Sequence, residues 1–405
     1  TIVSDIRAKY DSTWTRRAIW DRDYSEAVRP NVPGVLLELL SHQNFADMRF
    51  ALDPRFRFDV ARSVYKSMVH FLADQNGFDP VIQPLAPDHL AAQWDGEDIV
   101  LTWASVEDPL EESATPQGYV VYTRTPDGGY DSGQFVSTNR FVSEKAPAGA
   151  VHAFRVSAVN SGGESFPSET VAAGRPSGTG RDIDALIVAG FDRVSAPGSV
   201  NYGAFRGFAG FVDEGVPDRY DLSFIGEQYD FNSDSPWLDD DSPGHGASWS
   251  TWETHVQAGN TFDYPISHGE ALLATGVRFS TMSDEALLER GSIEADMIDL
   301  ILGEEKRTEG PGRLDQFEAI PTPLQVLLRA FSTAGGDLLI TGAHVATDLA
   351  GPQADNTGRS FAADVLGMQW RTDRAAQRGD VHVLSAFVPE EPSFSFNTGL
   401  SPLIY

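Results

Sequence analysis

The stretch His152-Ala153-Phe154-Arg155-Val156-Ser157-Ala158-Val159-Asn160 alternates between apolar and polar side chains. A period of two is the pattern of a β-strand that buries one face. Shorter runs of this kind occur at 100–105 and 119–122, and a Pro-Asp-Gly-Gly turn signal follows at 126–129. Short alternating strands joined by such turns predict an antiparallel β-sandwich over residues 80–177.

The same stretch carries a family signature. Residues 154–165 read Phe-Arg-Val-Ser-Ala-Val-Asn-Ser-Gly-Gly-Glu-Ser, and an early strand contributes Trp103. This part of the chain resembles a fibronectin type III module. The resemblance implies a spacer or a binding surface, without a catalytic constellation.

Residues 178–405 are expected to form an α/β domain. Apolar, strand-like runs occupy 184–192, 295–303 and 335–343, and a helical pattern at 323–333 precedes the last of them. Apolar strands separated by helix-length segments predict a doubly wound, flavodoxin-like sheet.

In such sheets the carboxyl ends of the strands form the ligand crevice. The sequence places Asp192, His344 and Asp348 near those ends, and Asp263 and His268 in a nearby loop. One hypothesis is a hydrolytic site built from Asp192, Asp263 and His268. The alternative is that these side chains order loops or line a binding crevice. A serine nucleophile elbow is absent from the sequence.

An acidic stretch at 230–241 partly resembles a calcium-binding loop. Its oxygen-bearing candidates are Asp230, Asn232, Asp234 and Asp241, although the expected glycine is replaced by Ser235. The alternative interpretation is a solvated acidic loop.

Residues 1–79 also read as α/β. The apolar, Pro/Gly-bounded run at 32–40 predicts a buried strand, and apolar residues at three- and four-residue steps predict a helix from Pro54 to the stop at Gly77. Glu38 interrupts the strand run. An acid in such a place is either a functional general base or acid, or a residue at an exposed edge.

Residues 32–47 resemble the closing motif of zinc-dependent N-acetylmuramoyl-L-alanine amidases. In that family a Pro-x-Val-Leu-x-Glu strand leads into a Ser-Asn-x-x-Asp turn and a final amphipathic helix. Glu38 matches the catalytic glutamate of the family, and residues 54–75 match its final helix. The turn is matched by Ser41, Asn44 and Asp47.

The amidase resemblance implies a zinc cofactor and hydrolysis of the amide between the lactyl group of muramic acid and L-alanine. Zinc would activate water while Glu38 shuttles the proton. The family's ligands are two His and one Glu upstream of this motif, and no His precedes Glu38 here. Either the zinc ligands lie upstream of these 405 residues, which we expect, or this amidase remnant is inactive. His42 is expected to be a turn residue beside the site.

The order of amidase end, fibronectin module and flavodoxin-like domain is similar to that of large secreted or periplasmic Bacteroidetes proteins labelled amidases or xanthan lyases. The phrases at 186–195, 258–265 and 267–272 carry this likeness. It implies a periplasmic, cell-surface or secreted protein that meets peptidoglycan or another envelope glycan. The alternatives are a non-catalytic glycan-associated binding protein, and a hydrolase or lyase with its site in the third domain.

Composition excludes several classes of protein. Lys and Arg number 30 against 59 Asp and Glu, for a formal net charge of −29. This charge argues against a nucleic-acid binder and against docking on anionic lipid. The absence of cysteine excludes disulfides and thiol nucleophiles. No apolar run reaches the roughly 20 residues needed for a transmembrane helix.

Overall fold

The computed structural model describes ten ranges of the chain. They are residues 1–41, 44–124, 128–191, 199–201, 206–208, 263–303, 305–309, 316–372, 379–382 and 393–395. Within these ranges no helix has the length and apolar character that crossing a membrane requires, in line with the sequence.

The N-terminal part is helical. Its helices are α1 (Ile2–Lys9), α2 (Ser25–Val28), α3 (Phe45–Ala51) and α4 (Pro54–Asn76). The helix predicted from Pro54 is confirmed. The Asp53 side chain caps α4 by accepting a hydrogen bond from the Phe56 amide, and Gly77 ends it at φ 72°.

The prediction of a buried strand at 32–40 is wrong. Residues 33–41 have no regular secondary structure. Val35 is 86% exposed, and Leu36, Leu37 and Leu39 are also exposed. The physical reason is that a strand needs a hydrogen-bonded neighbour, and no strand that the structure describes pairs with this segment.

Helix α4 buries a different face from the one that its apolar spacing suggests. Its buried residues are Phe56, Val60, Ser63, Lys66 and Ala73. The large apolar side chains at the regular three- and four-residue steps are largely exposed, namely Phe58, Met68 and Leu72.

The middle part is a β-sandwich. Its strands are β1 (Asp88–Asp95), β2 (Asp98–Ala104), β3 (Gly118–Arg124), β4 (Gln134–Val136), β5 (Arg140–Ser143), β6 (Val151–Asn160), β7 (Gly163–Glu164) and β8 (Val171–Gly174), with a 3₁₀ turn at Glu112–Ala114. One layer is β1-β2-β5 and the other is β4-β3-β6-β8, all antiparallel. This is the layering of a fibronectin type III module.

The third part alternates strands and helices. Its strands are β9 (Asp184–Ala189), β10 (Ser199–Asn201), β11 (Arg206–Phe208), β12 (Arg278–Ser283), β13 (Met297–Ile301), β14 (Thr308–Glu309), β15 (Gln316–Phe317), β16 (Asp337–Thr341), β17 (Asp380–His382) and β18 (Ser393–Ser395). Its helices are α5 (Tyr264–Ala274), α6 (Asp284–Arg290), α7 (Thr322–Thr333), α8 (Val345–Ala350) and α9 (Asn356–Asp364).

Four parallel strands form the centre of this third part, in the order β16-β13-β9-β12. Counted along the chain, the order is fourth, third, first, second. Helix α5 packs on one face of these strands, in a cluster with Ile187 and Phe279. Helices α6, α7 and α9 contribute to the core on the other face, around Val188 and Leu300. The strands predicted at 184–192, 295–303 and 335–343 are present as β9, β13 and β16.

The sandwich and the parallel strands form one continuous sheet. The edge of β12 pairs antiparallel with β1 at Ala92 and Thr281, and with β8 at Gly174 and Phe279. The Trp94 indole of β1 also donates a hydrogen bond of 3.0 Å to the Phe279 carbonyl. The sandwich therefore covers an edge strand that would otherwise be open to solvent.

Candidate functional site

A histidine and a carboxylate meet on one face of the parallel strands. His268 Nδ1 on α5 lies 2.7 Å from Asp299 Oδ2 on β13. The Asp299 side chain is 3% exposed, whereas that of His268 is 26% exposed. A buried carboxylate that accepts from one ring nitrogen fixes the imidazole tautomer and directs the second nitrogen outward.

A glycine lets α5 approach the sheet closely enough for this contact. An added Cβ at Gly269 would lie 2.2 Å from Cζ of Phe279, closer than real side chains pack. A glycine of the neighbouring sandwich also makes room for this ring, since a Cβ at Gly174 would lie 2.6 Å from Cε1 of Phe279. The absence of a side chain at both glycines lets the Phe279 ring pack between α5 and β8. This close packing allows His268 on α5 to reach Asp299 on β13.

Asp299 lies in a row of side chains that crosses the sheet. Asp299 on β13 and Thr281 on β12 both pair with Ile187 on the central strand β9. Thr281 is fully buried and Asp299 is 2% exposed. Neither Thr281 Oγ1 nor Asp299 Oδ1 has a hydrogen-bond partner within the structure. Buried polar atoms of this kind are uncommon and often mark functional positions.

The structure does not bring Asp263 to His268. Asp263 Oδ1 instead accepts hydrogen bonds from Arg155 Nη2 at 2.6 Å and from the Thr170 hydroxyl at 2.9 Å. Arg155 lies on β6, and Thr170 precedes β8. Asp263 precedes the first turn of α5 and so connects that helix to the sandwich. Two groups of the sandwich thus hold the Asp263 carboxylate, whereas His268 pairs with Asp299.

The contact between Arg155 and Asp263 belongs to a larger cluster. The guanidinium of Arg155 lies 4.7 Å from the centre of the Tyr130 ring. The Tyr130 hydroxyl lies 3.1 Å from that of Thr170. Burial raises the pKa of Tyr130 above its usual value, so this hydroxyl stays protonated at neutral pH. The cluster is therefore a neutral tyrosine packed on the ion pair of Arg155 and Asp263, and Arg124 Nη1 lies 4.0 Å from the other carboxylate oxygen of Asp263.

His344 and Asp348 lie beside another loop. His344 is the residue before α8, and Asp348 belongs to the first turn of that helix. Asp348 Oδ2 accepts a 2.6 Å hydrogen bond from the Arg307 amide. Burial raises the pKa of Asp348 to about 6, against the opposing effects of this hydrogen bond and of the Arg307 charge. Asp348 thus holds the segment that follows β13.

Several candidate residues lie outside the part of the chain that the structure describes. They are Asp192 of the crevice hypothesis, Asp230, Asn232, Asp234 and Asp241 of the calcium hypothesis, and His42 beside the amidase-like turn.

Glu38 lies in the segment without regular secondary structure, and its side chain is exposed. The turn that follows it is ordered by the residues that the amidase resemblance singles out. Asp47 Oδ2 accepts from the Ser41 amide at 2.9 Å, and Asn44 Oδ1 accepts from the Ala46 amide at 2.9 Å. These hydrogen bonds link Ser41, at the end of the Glu38 segment, to the first turn of α3.

The described residues do not form a metal centre. In the ranges that the structure covers, no group of three or more His, Cys, Asp or Glu side chains is placed to hold an ion. Among the described residues, neither Glu38 nor the pair of His268 and Asp299 therefore belongs to a metal-binding group.

A cavity of about 180 Å³ lies at the opposite edge of the parallel strands. Its lining includes Trp94, Asp184 and Arg278. Asp184 and Arg278 are the first residues of β9 and β12, so this cavity is at the amino ends of the strands. His268 is not part of it. Ligand crevices of parallel sheets lie at the carboxyl ends, so this cavity is not where such a crevice is expected. The pair of His268 and Asp299 lies elsewhere, because Asp299 is the third of the five residues of β13, midway along the strand.

Charged side chains join α4 to the sandwich. Arg62 Nε lies 2.8 Å from Asp108 Oδ2, with side-chain exposures of 8% and 4%. Lys66 Nζ lies 2.8 Å from Asp5 Oδ2 on α1. Burial opposes ionisation of Asp108, but hydrogen bonds from Arg62 and the Leu110 amide outweigh it and lower the Asp108 pKa.

Comparisons with known proteins concern a small share of the chain. No protein-family model matches the sequence. No curated protein matches it either. Among solved structures, titin domains A168–A170 are 21% identical over 22% of this chain and 30% of the titin chain, with a TM-score of 0.19. A fibronectin type III-like protein from Clostridium thermocellum is 24% identical over 22% of this chain and 90% of its own, with a TM-score of 0.18. A human fibronectin type III domain is 21% identical over 23% and 87% of the two chains, with a TM-score of 0.20. This chain thus spans under a third of the titin fragment.

The sequence hypotheses included His268 but missed Asp299. A signal was present, because Asp299 interrupts the apolar run at 295–303 as Glu38 interrupts the run at 32–40. The same reasoning about an acid inside an apolar strand applies to both residues. The structure buries Asp299 and exposes Glu38.

Proposed function

We propose that the protein takes part in peptidoglycan turnover. Residues 1–79 would be the closing part of an N-acetylmuramoyl-L-alanine amidase, followed by a fibronectin type III module and a flavodoxin-like domain. The location proposed is the periplasm, the cell surface or the outside of the cell.

The observation that carries this proposal is the turn around Ser41, Asn44 and Asp47. The amide of Ser41 and the side chain of Asp47 close the turn, and Asn44 caps α3. These are the positions of the amidase-like motif, and each takes part in a hydrogen bond at the start of α3. Helix α4 follows at the place of the family's final helix.

In this proposal Glu38 moves the proton. Its carboxylate takes a proton from the water that attacks the amide carbonyl and delivers it to the leaving amine of L-alanine. General acid–base catalysis of this kind contributes about 10²–10⁴-fold to a rate. The exposure of Glu38 is compatible with contact to a polymeric substrate.

Zinc does not fit the residues described here. No His precedes Glu38 in the sequence. No group of three potential ligands occurs within the described ranges. The proposal therefore requires metal ligands from outside the part of the chain that the structure describes.

The test is muropeptide release from purified sacculi by the protein as its source cell expresses it. Glu38→Gln should lower release by about 10²–10⁴-fold while leaving the fold intact. Glu26→Gln, which changes another exposed carboxylate of the same part, is the matched control. Unchanged release by the Glu38→Gln protein would make Glu38 a structural residue.

The pair of His268 and Asp299 favours a second candidate function, in which the third domain holds a ligand site of its own. The strand order β16-β13-β9-β12 supports the flavodoxin-like architecture proposed for this domain. In sheets of this order the ligand crevice lies between the first and third strands, here β9 and β13. Asp299 stands on β13.

A further inference from the structure

We propose that His268 and Asp299 form a ligand-binding site that takes an uncharged, hydroxyl-bearing molecule such as a saccharide. This inference rests on the second candidate function, for which it names the ligand class, and it does not depend on the chemistry proposed for Glu38.

Asp299 and His268 have different roles in the proposed site. Asp299 is buried and holds His268 Nδ1 at 2.7 Å, so in the neutral ring Nε2 is left as a hydrogen-bond acceptor. The His268 side chain is the accessible member, at 26% exposed. Asp299 therefore orients the ring, and His268 meets the ligand.

A second observation points to the same place. Asp299 Oδ1 and Thr281 Oγ1 are buried and have no hydrogen-bond partner within the structure. Leaving such an atom unpaired is unfavourable, because it has lost its hydrogen bonds to water without gaining a partner. Thr281 and Asp299 lie at the same level on either side of β9, about 10 Å apart at two strand spacings. The face under α5 thus keeps two unpaired polar atoms, one of which belongs to the carboxylate that holds His268.

The donors and acceptors select the ligand class. The buried Asp299 carboxylate contributes a negative charge behind the ring, and neutral His268 accepts on Nε2. An anion would meet the carboxylate charge, and a cation would fit only the neutral ring. A hydroxyl group both donates and accepts, so it suits the ring in either protonation state.

The neighbouring elements hold the site in place. Gly269 allows α5 to sit against Phe279. Arg155 and Thr170 hold Asp263 just before α5. The ring of His268 is thus fixed by the parallel strands below it and by the sandwich beside it, which reduces the ordering that a ligand must induce.

The experiment follows the histidine resonances of the 405-residue chain by ¹H–¹⁵N NMR during titration with the neutral disaccharide N,N′-diacetylchitobiose. We expect saturable shifts of His268 Nε2 and of its ring proton. Asp299→Asn should weaken the apparent affinity about tenfold, because it removes the acceptor that fixes the tautomer. His268→Gln should abolish the binding that a second method, such as calorimetry, detects.

The control variant is His152→Gln, which removes an exposed imidazole bonded to the Pro147 carbonyl of the sandwich. It should leave the titration unchanged. If Asp299→Asn fails to fold, as judged by circular dichroism, His268→Gln decides alone. The proposal is overturned if the disaccharide leaves His268 unshifted, if His268→Gln binds as well as the parent, or if only ethylammonium or acetate shifts His268. None of these outcomes depends on amidase activity.

Discussion

Arg155 Nη2 donates a hydrogen bond to Asp263 Oδ1 over 2.6 Å, and this contact joins the β-sandwich to the helix that carries His268. The two side chains are 25% and 19% exposed, so solvent screens the pair only in part. The edge strand β12 of the third domain also pairs with β1 and β8 of the sandwich. Through these two sets of contacts, the fibronectin type III module packs directly against the third domain.

The first prediction concerns Arg155. Arg155→Gln should lower the free energy of unfolding by about 2 kcal/mol, since it removes charge-assisted hydrogen bonds to Asp263 and Thr170. It should also shift the His268 resonances, because α5 loses its anchor. Urea denaturation and NMR measure the two effects. Arg140→Gln, at the exposed first position of β5, is the control. Equal stability of the two variants would show that the ion pair contributes nothing to the junction.

The second prediction concerns Gly269. Replacing a helical glycine by alanine normally stabilises a helix by about 1 kcal/mol. Here Gly269→Ala should destabilise the protein by about 1–3 kcal/mol, because the new Cβ would clash with the Phe279 ring. Thermal unfolding measures the change.

Phe279→Leu supplies the matched test for Gly269. The smaller side chain should remove the clash, so Gly269→Ala should cost less in the Phe279→Leu background than in the parent. Equal costs in both backgrounds would mean that the ring does not set the distance between α5 and the sheet.

The third prediction concerns the buried pair of Arg62 and Asp108. Asp108→Ala should cost about 3–5 kcal/mol, because it leaves the Arg62 charge buried and uncompensated. The double variant Arg62→Met with Asp108→Leu should cost less, since it removes both charges together. A double variant that is less stable than Asp108→Ala would contradict this account of the contact between α4 and the sandwich.

The fourth prediction concerns pH and Asp348. Burial raises the Asp348 pKa to about 6 in the folded chain, above the usual value of 3.8. The folded state then binds the proton more tightly than the unfolded state. The contribution of Asp348 to stability is therefore fully present below about pH 4, and it is lost as the pH rises through about 6. Two units of pKa correspond to about 3 kcal/mol.

Asp348→Asn removes this titration but keeps an oxygen that can accept from the Arg307 amide. The stability difference between parent and variant should change in favour of the variant as the pH rises from about 4 to about 6. Chemical denaturation at several pH values measures it. A difference that stays constant over this range would show that burial does not raise the Asp348 pKa.

Much of the fold could be predicted from the sequence because strongly apolar or alternating runs leave few choices. The strand at 152–160 and the runs that became β9, β13 and β16 are of this kind. Strand β12 was missed, since Arg278, Ser280 and Ser283 make it look polar. It is buried because strands flank it on both sides, which no local pattern reveals.

The site and the helix faces were harder to predict. The spacing on α4 identifies residues that share a face, but not which face is covered. Arg62 and Lys66 are buried because they form ion pairs with Asp108 and Asp5, respectively. Asp263 and His268 are near in sequence, yet they do not pair with each other. Asp263 pairs with Arg155, and His268 pairs with Asp299. Those partners lie 108 and 31 residues away.

The central claim is that Glu38 belongs to an amidase site whose metal ligands these 405 residues do not supply. The most direct measurement is the zinc content of the purified chain after dialysis, by elemental analysis. The account predicts no stoichiometric zinc. One zinc per chain that survives dialysis and is lost in His42→Ala would contradict it, because the site would then be complete within this chain.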